Sequence, residues 1–343
     1  MSGAVGTYGF INAKVRTKRS ALLSESLLKK LAETKSLQDF FTILSHTRFQ
    51  QFTEKARGSS PVVIEMLLMK EEVQDLQSII KKSPKVPRQF TQLLIQRYDL
   101  ERLKEVLRAW HKKEKTPAFS FSEKVIHDFP IDAMIQTERL MDLTRLLSDT
   151  PYYKMLTNIA PIYEKMKSVF PVELALDKDL FKKINEAIQT LPANDRKIAK
   201  RLLGLEIDLI NIQWLYRFNH YYTLKSDEIS SHLIPNGLHF DLNDFNFSKG
   251  ISLGSVIQKV FPEKLLKISD DAEESDNFIK LEQILFSLLK KDAHWAFRQS
   301  PFSIGSLLGY YYLLRIEMKN LRALITAKLY DLPYDRCVSL LVL

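Results

Sequence analysis

Apolar residues recur three and four positions apart over long stretches of the chain, and this spacing predicts amphipathic helices. The three longest stretches, 87–110, 192–218 and 301–330, each begin at or near a proline. Proline is favoured in the first turn of a helix, because no partner is needed there for its missing N–H. Ser300 is expected to cap the third helix. Period-two alternation is absent over any length, so the sequence predicts an all-α fold.

The three predicted long helices follow one pattern that repeats every 109 residues. Asp99, Asp208 and Glu317 are separated by this interval, and we refer to them as the landmark acids. The same offset aligns three apolar positions and one polar position: Leu100, Leu209 and Met318; Leu103, Ile212 and Leu321; Val106, Leu215 and Leu324; and Arg102, Asn211 and Asn320. Equal spacing of three apolar stripes, each with an acid at the same point, predicts a structural triplication.

Each long helix is preceded by a further helical stretch, at 62–81, 172–191 and 276–291. The short connections predict antiparallel helical hairpins. Boundaries at 115–119 and 223–227 then divide the chain into three helical domains, which are residues 1–118, 119–225 and 226–343.

Shorter helices are predicted in front of the first two hairpins. Ser24 and Ser36 are expected to cap helices at 25–33 and 37–44. Segments 37–52 and 140–155 are alike, because five residues recur with an offset of 103: Leu37, Asp39, Leu44, Ser45 and Thr47 match Leu140, Asp142, Leu147, Ser148 and Thr150. The corresponding signal in the last third, near 252–260, is weak. Segment 235–250 is predicted to be an irregular loop, and the acidic run 269–275 a solvated connection.

The net charge of +9 belongs to the first third of the chain, since residues 1–118 carry +10, residues 119–225 carry +1 and residues 226–343 carry −2. Such a segment fits an acidic protein face, anionic lipid or nucleic acid, and equally a solvated surface. The single cysteine, Cys337, excludes an intramolecular disulfide and is expected to be buried. Segment 1–9 has no apolar core typical of a signal peptide, so a reducing, cytoplasmic location is expected. No apolar run reaches the ~18 residues of a membrane span.

Sequence signatures of catalysis are absent. The seven histidines form no His-Glu-x-x-His motif and no zinc spacing with cysteine. A phosphate-binding Gly-x-x-x-x-Gly-Lys-Ser/Thr loop and a Gly-x-Ser-x-Gly elbow are also missing. We therefore expect a protein that is not an enzyme and that uses no metal, cofactor or small-molecule substrate.

Two stretches resemble the family formed by the C subunits of V/A-type ATP synthases and the d subunits of eukaryotic vacuolar pumps. The family opens with an aromatic pair, Asn-Ala-x-Val-Arg and Ser-x-Leu-Leu, which here are Tyr8, Phe10, Asn12, Ala13, Val15, Arg16, Ser20, Leu22 and Leu23. It ends with Glu-x-x-Asn-Leu/Ile-Arg, a short loop and a short helix, which here are Glu317, Asn320, Leu321, Arg322, Lys328 and 330–333. The middle copy departs from this pattern, because Gln213 stands in place of the arginine.

The resemblance implies a funnel of three similar helical domains in a pseudo-threefold arrangement. In this family the funnel sits on the membrane ring of proteolipids (the c-ring), receives the foot of the D- and F-type rotor stalk, and passes torque between them without performing chemistry. One copy per complex, peripheral on the inner face of the membrane, is therefore expected. Gly305 and Gly309, four positions apart, either let the last long helix pack closely against a neighbour or are two unrelated small residues.

The resemblance and the repeat together give eight candidate partner-binding residues: Asn12, Arg16, Arg19, Asp208, Asn211, Glu317, Asn320 and Arg322. The acid and asparagine pairs either face the cavity and contact the stalk, or tie helices together by hydrogen bonds. Arg16 and Arg19, together with Lys14 and Lys18, either meet acidic residues of a partner or form a solvated face.

Two other interpretations remain open. A helical-repeat scaffold unrelated to ATPases is one, although a period of 109 exceeds the ~34–47 residues of common solenoids. A nucleic-acid-binding protein is the other, although such a protein needs aromatic residues interleaved with cations. Trp110, Trp214 and Tyr310 lie within apolar helical stretches instead.

Overall fold

A computed structural model describes residues 2–114, 125–221, 229, 232–239 and 274–343. Within those ranges the ordered structure is helical, without strands, as the apolar spacing predicted. The helices are α1 (Ser2–Ser20), α2 (Glu25–Glu33), α3 (Leu37–Leu44), α4 (Gln50–Ala56), α5 (Pro61–Ile80), α6 (Lys85–His111), α7 (Ile131–Ile135), α8 (Leu140–Arg145), α9 (Tyr153–Met166), α10 (Phe170–Gln189), α11 (Ala193–Tyr221), α12 (Glu274–Phe297), α13 (Gly305–Leu329) and α14 (Tyr334–Ser339).

The chain forms two compact units. Unit 1 combines Met1–Thr47 with Thr190–Leu343, and unit 2 is Arg48–Gln189. The predicted boundaries at 115–119 and 223–227 lie outside the described residues, as do most of the loop at 235–250 and the segment at 252–260. The division into three domains therefore stays a prediction.

Two of the three predicted hairpins are packed helix pairs within one unit. In unit 2, α5 and α6 pack together and are joined by four residues. In unit 1, α12 packs against α13. The members of the middle pair belong to different units: α10 packs on α6 and α9, and α11 packs on α12 and α13.

Serine caps define several helix starts. The Ser24 and Ser36 hydroxyls accept the N–H groups of Leu27 and Asp39, which confirms both predicted caps. Ser60 caps α5 in the same way.

The prediction that Ser300 caps a helix at Pro301 is wrong, because α13 begins at Gly305. Residues 300–304 form a local turn instead, in which the Ser303 hydroxyl donates to the Ser300 carbonyl over 2.7 Å. The turn ends where the Ile304 N–H meets Asp195 Oδ1 at 3.1 Å, so the helix starts beyond it.

The likeness between the front elements extends to their structure. Helices α3 and α8 start 103 residues apart, and so do α4 and α9. The Thr47 hydroxyl donates to the Leu44 carbonyl over 2.6 Å, and the Thr150 hydroxyl donates to the Leu147 carbonyl over 2.7 Å. The matched residues therefore make the same turn in both places.

Close packing of α13 on α12 depends on two glycines. A Cβ atom on Gly305 would lie 2.6 Å from the Ala296 carbonyl oxygen, and one on Gly309 would lie 2.7 Å from the Ala293 carbonyl oxygen. This confirms the first of the two alternatives for both glycines. Tyr310, Tyr311 and Tyr312 are wholly buried, and Cys337 is buried as expected.

Paired charges link neighbouring helices in each unit. In unit 2, Arg108 in α6 binds the Glu173 carboxylate through two nitrogens at 2.6 and 2.8 Å. In unit 1, Arg201 in α11 binds Asp292 in α12 in the same forked geometry, at 2.7 and 2.8 Å. Forked arginine pairs fix orientation as well as distance, so they set the register of these helices.

Candidate functional site

The first landmark acid binds a segment that follows its own helix. Asp99 in α6 is wholly buried. Its carboxylate accepts hydrogen bonds from the Ile126 N–H at 3.2 Å and the His127 N–H at 2.9 Å. The same carboxylate lies 2.8 Å from His127 Nδ1. Arg102 lies 3.6 Å from the same carboxylate and balances its charge.

The other two landmark acids make the same type of contact. Asp208 in α11 is wholly buried and accepts the His239 N–H at 2.9 Å. Glu317 in α13 is 5% exposed and accepts the Leu23 N–H at 2.6 Å. Each landmark acid therefore binds the main chain of a segment far from it along the sequence.

The polar position three residues after each acid has a matching role. Asn211 donates to the Ile234 carbonyl and accepts the Ile234 N–H, both at 2.8 Å. Asn320 donates to the Val342 carbonyl at 3.2 Å and accepts the Val342 N–H at 2.9 Å. At the first copy, Arg102 donates to the His127 carbonyl at 3.4 Å.

We call each set of a landmark acid, the polar residue three positions later and the main-chain groups they bind a clasp. The clasps of Asp99 and Glu317 are equivalent in position as well as in type. Glu317 binds Leu23, and Asp99 binds Ile126. Leu23 lies before the start of α3 at the same distance along the chain as Ile126 lies before the start of α8. Buried main-chain groups need partners, and the clasps supply them where the chain has no regular structure.

Four of the eight candidate partner-binding residues belong to the clasps. Asp208, Asn211, Glu317 and Asn320 are at most 5% exposed and bond within unit 1, which is the second alternative considered for them. Their contact with a partner stays a prediction.

The basic candidates near the N-terminal helix lie on α1 against the end of α12. Arg16 is exposed; its Nε donates to Asn12 Oδ1 at 2.9 Å and its NH2 group to the Phe297 carbonyl at 3.5 Å. Arg19 contacts His294 Nδ1 at 3.3 Å and lies over the Phe297 ring at 4.7 Å. Burial and the cations Arg19, Lys290 and Arg298 lower the pKa of His294, against the opposing effect of Glu25.

Sequence reasoning missed two further contacts that fix the N-terminal helices. The Tyr8 hydroxyl donates to Asp195 Oδ2 at 2.5 Å, and burial together with that carboxylate raises the pKa of Tyr8. The Lys328 ammonium donates to the carbonyls of Ala32 and Thr34, both at 2.6 Å, and so caps the end of α2. Tyr8 and Lys328 stand in the two stretches that carry the family resemblance, but no local pattern names their partners.

Two exposed tyrosines lie at the turn between α13 and α14. Tyr330 is 75% exposed and Tyr334 is 43% exposed. Arg322, the last of the candidates, is half-buried on α13. Tyrosine and arginine are the residue types most often found at the centre of protein interfaces.

In the part of the chain that the structure describes, no group of three or more His, Cys, Asp or Glu residues is arranged to bind a metal ion. Among the described residues, no helix combines the length and the apolar character of a membrane span.

The helical fold and its repeated clasps define an all-α protein built on packed helix pairs. The chain belongs to the ATP synthase (C/AC39) subunit family, whose sequence model matches residues 11–339. This confirms the resemblance drawn from the two ends of the sequence.

Several known proteins similar to this chain are described as the C subunit of an A-type ATP synthase. The protein of this description from Methanocaldococcus jannaschii is 23% identical, and the match covers 98% of this chain and 86% of the relative. Those from Methanosphaera stadtmanae and Thermococcus kodakarensis are 24% and 25% identical, over 94% and 93% of this chain and 84% and 86% of the relatives.

Proposed function

We propose that this chain is the central-rotor connector of a V/A-type rotary ATPase, one copy per complex, joining the D- and F-type rotor stalk to the membrane proteolipid ring. In this role it transmits torque during ATP-linked transport of protons or sodium ions and performs no catalysis itself. The observation that carries the proposal is the family match over residues 11–339.

The repeated clasps support a mechanical role. A connector between two partners of different symmetry must transmit torque through many spread contacts and must not deform. Buried charged and amide side chains that bind main-chain groups restrain irregular segments. We propose that three such hairpin domains, 1–118, 119–225 and 226–343, form a pseudo-threefold funnel whose mouth receives the stalk.

The candidate partner-binding residues then divide into two groups. The buried residues Asp208, Asn211, Glu317 and Asn320 would position the segments that line the funnel. The accessible residues Asn12, Arg16, Arg19 and Arg322 would contact acidic groups of a partner. The chain would then lie on the cytoplasmic side of the membrane, attached to it through the complex.

Purification from membranes tests this proposal. The tagged chain is isolated in mild detergent and the masses of the intact complexes are measured. One copy is expected together with the rotor-stalk and proteolipid subunits. Recovery of the chain without any of these proteins would refute the proposal.

A charge reversal tests the partner contact separately. Arg16→Glu is expected to lower the fraction of the chain retained in the complex at moderate salt, because it places an acid against an acidic surface. Lys165→Glu, which changes an exposed cation on α9 by the same charge, is the matched control and should leave retention unchanged. Equal retention of both variants would remove Arg16 from the interface.

A further inference from the structure

The third clasp differs from the other two in the connectivity of what it binds. Asp99 and Asp208 bind main-chain groups 27 to 31 residues further along the chain. Glu317 binds Leu23, which is 294 residues away. A short tether keeps a released segment close to its clasp, whereas closing a long loop costs more conformational entropy. Release of Leu23 therefore recovers more conformational entropy of the chain than release of the segments that Asp99 and Asp208 bind.

The segment that contains Leu23 depends on distant contacts along its whole length. Tyr8 binds Asp195, Arg16 and Arg19 bind the end of α12, and Lys328 binds the end of α2. Glu25 adds an ion pair with Lys290 at 2.8 Å. The partners of these groups lie in the sequence after residue 190.

Helix α1 has little stability of its own. Gly3, Gly6 and Gly9 occupy its first half, and glycine is among the weakest helix formers. A Cβ atom on Gly3 or Gly6 would contact nothing within 4 Å, so these glycines are not there for close packing. Once its distant contacts are broken, only weak local contacts, such as the bond from Arg16 Nε to Asn12 Oδ1, are left to keep α1 helical.

We propose that residues 2–44, comprising α1, α2 and α3, form a strap that detaches from the rest of unit 1 as one cooperative segment while residues 190–343 stay folded. The strap packs on α13, and α2 also packs on α14. Its release would uncover the faces of those two helices and give unit 1 a defined place to open. The proposal rests on the contacts within unit 1 and does not depend on the rotary function.

Hydrogen–deuterium exchange on the isolated full-length chain tests the strap. Amides of α1, α2 and α3 should exchange faster than those of α11 and α13, since local opening requires less free energy than global unfolding. Glu317→Gln and Tyr8→Phe each weaken one anchor without a large change of volume. Each variant should speed exchange across α1 to α3 by roughly tenfold or more and leave α11 unchanged beyond its first turn, which carries Asp195.

Asp208→Asn is the matched control in the same unit, because it weakens a clasp whose partner is tethered 31 residues away. It should leave exchange in α1 to α3 unchanged. Three results would overturn the strap: equal acceleration of α1, α11 and α13 in either anchor variant, no acceleration of α1 to α3 in both of them, or acceleration of α1 to α3 by Asp208→Asn. If Glu317→Gln fails to fold, Tyr8→Phe carries the test alone.

Discussion

The amide side chains of Asn211 and Asn320 each satisfy both polar groups of one buried residue. Replacing either asparagine by alanine leaves an N–H and a C=O without their partner. We expect Asn211→Ala and Asn320→Ala each to lower the free energy of unfolding by about 2–6 kcal/mol, at about 1–3 kcal/mol for each of the two buried groups left unpaired. Denaturant titration followed by circular dichroism measures the loss.

Asn158 provides the control for this prediction. It lies exposed on α9, so Asn158→Ala should change stability by no more than about 0.5 kcal/mol. Equal losses for the exposed and the buried asparagines would contradict the account of the clasps.

His294 should make stability depend on pH. Burial comes first among the causes that lower its pKa below the ordinary 6.5, and Arg19, Lys290 and Arg298 add to it. The pKa of His294 is therefore lower in the folded state than in the unfolded state, where it is about 6.5. At pH values between these two, the unfolded state binds more protons, so the free energy of unfolding decreases as pH falls below about 6.5. His239, whose pKa is also lowered, acts in the same direction.

The variant His294→Gln isolates this effect. It removes one titrating group, so its stability should fall less steeply than that of the parent chain between about pH 7 and pH 5. Denaturant midpoints measured at several pH values across this range provide the comparison. Identical slopes for the two proteins would show that His294 titrates alike in both states.

At the residue scale, the sequence locates the landmark acids but not what they bind. The interval of 109 residues is visible because each acid stands at one point of an apolar stripe. The main-chain groups of Leu23, Ile126 and His239 leave no sequence signal, since any residue except proline carries an N–H. For the same reason, the sequence could not decide whether the acids face a cavity or are buried in hydrogen bonds within the protein.

At the element scale, helix pairs depend on glycine where backbones approach closely. A Cβ atom on Gly309 would lie 2.7 Å from both the Ala293 oxygen and the Phe297 ring. Gly309→Ala should therefore lower the free energy of unfolding by about 1–3 kcal/mol through overpacking. Gly6→Ala in α1 meets nothing within 4 Å and should raise it by about 0.5–1 kcal/mol. Thermal unfolding of the two variants distinguishes these opposite signs, and a gain for Gly309→Ala would contradict the packing described for α12 and α13.

Helices were predictable where periodicity and caps agree. The bounds of α2 and α3 follow from Ser24 and Ser36, because a serine cap acts within three residues of itself. The start of α13 did not follow from Ser300 and Pro301, because the N–H of Ile304 binds Asp195, 109 residues away. A contact of that range overrides local preference.

At the scale of the whole molecule, the sequence predicts three domains, whereas contacts divide the chain into two compact units. Unit 1 joins Met1–Thr47 to Thr190–Leu343, so its two parts are separated in sequence by unit 2. Composition and periodicity follow the order of the chain and carry no signal of such a discontinuous unit. The family resemblance was accessible because each of its motifs, at 8–23 and 310–343, is continuous in sequence. Both stretches belong to unit 1.

Rotation of the chain itself tests the central claim most directly. The purified complex is immobilised through its catalytic head, and a bead is attached to a cysteine introduced at the exposed residue Lys165 in a Cys337→Ser background. On addition of ATP, the bead should rotate in steps, because a connector turns with the stalk and the ring. A stationary bead on a complex that hydrolyses ATP and rotates a probe on the stalk would contradict the account.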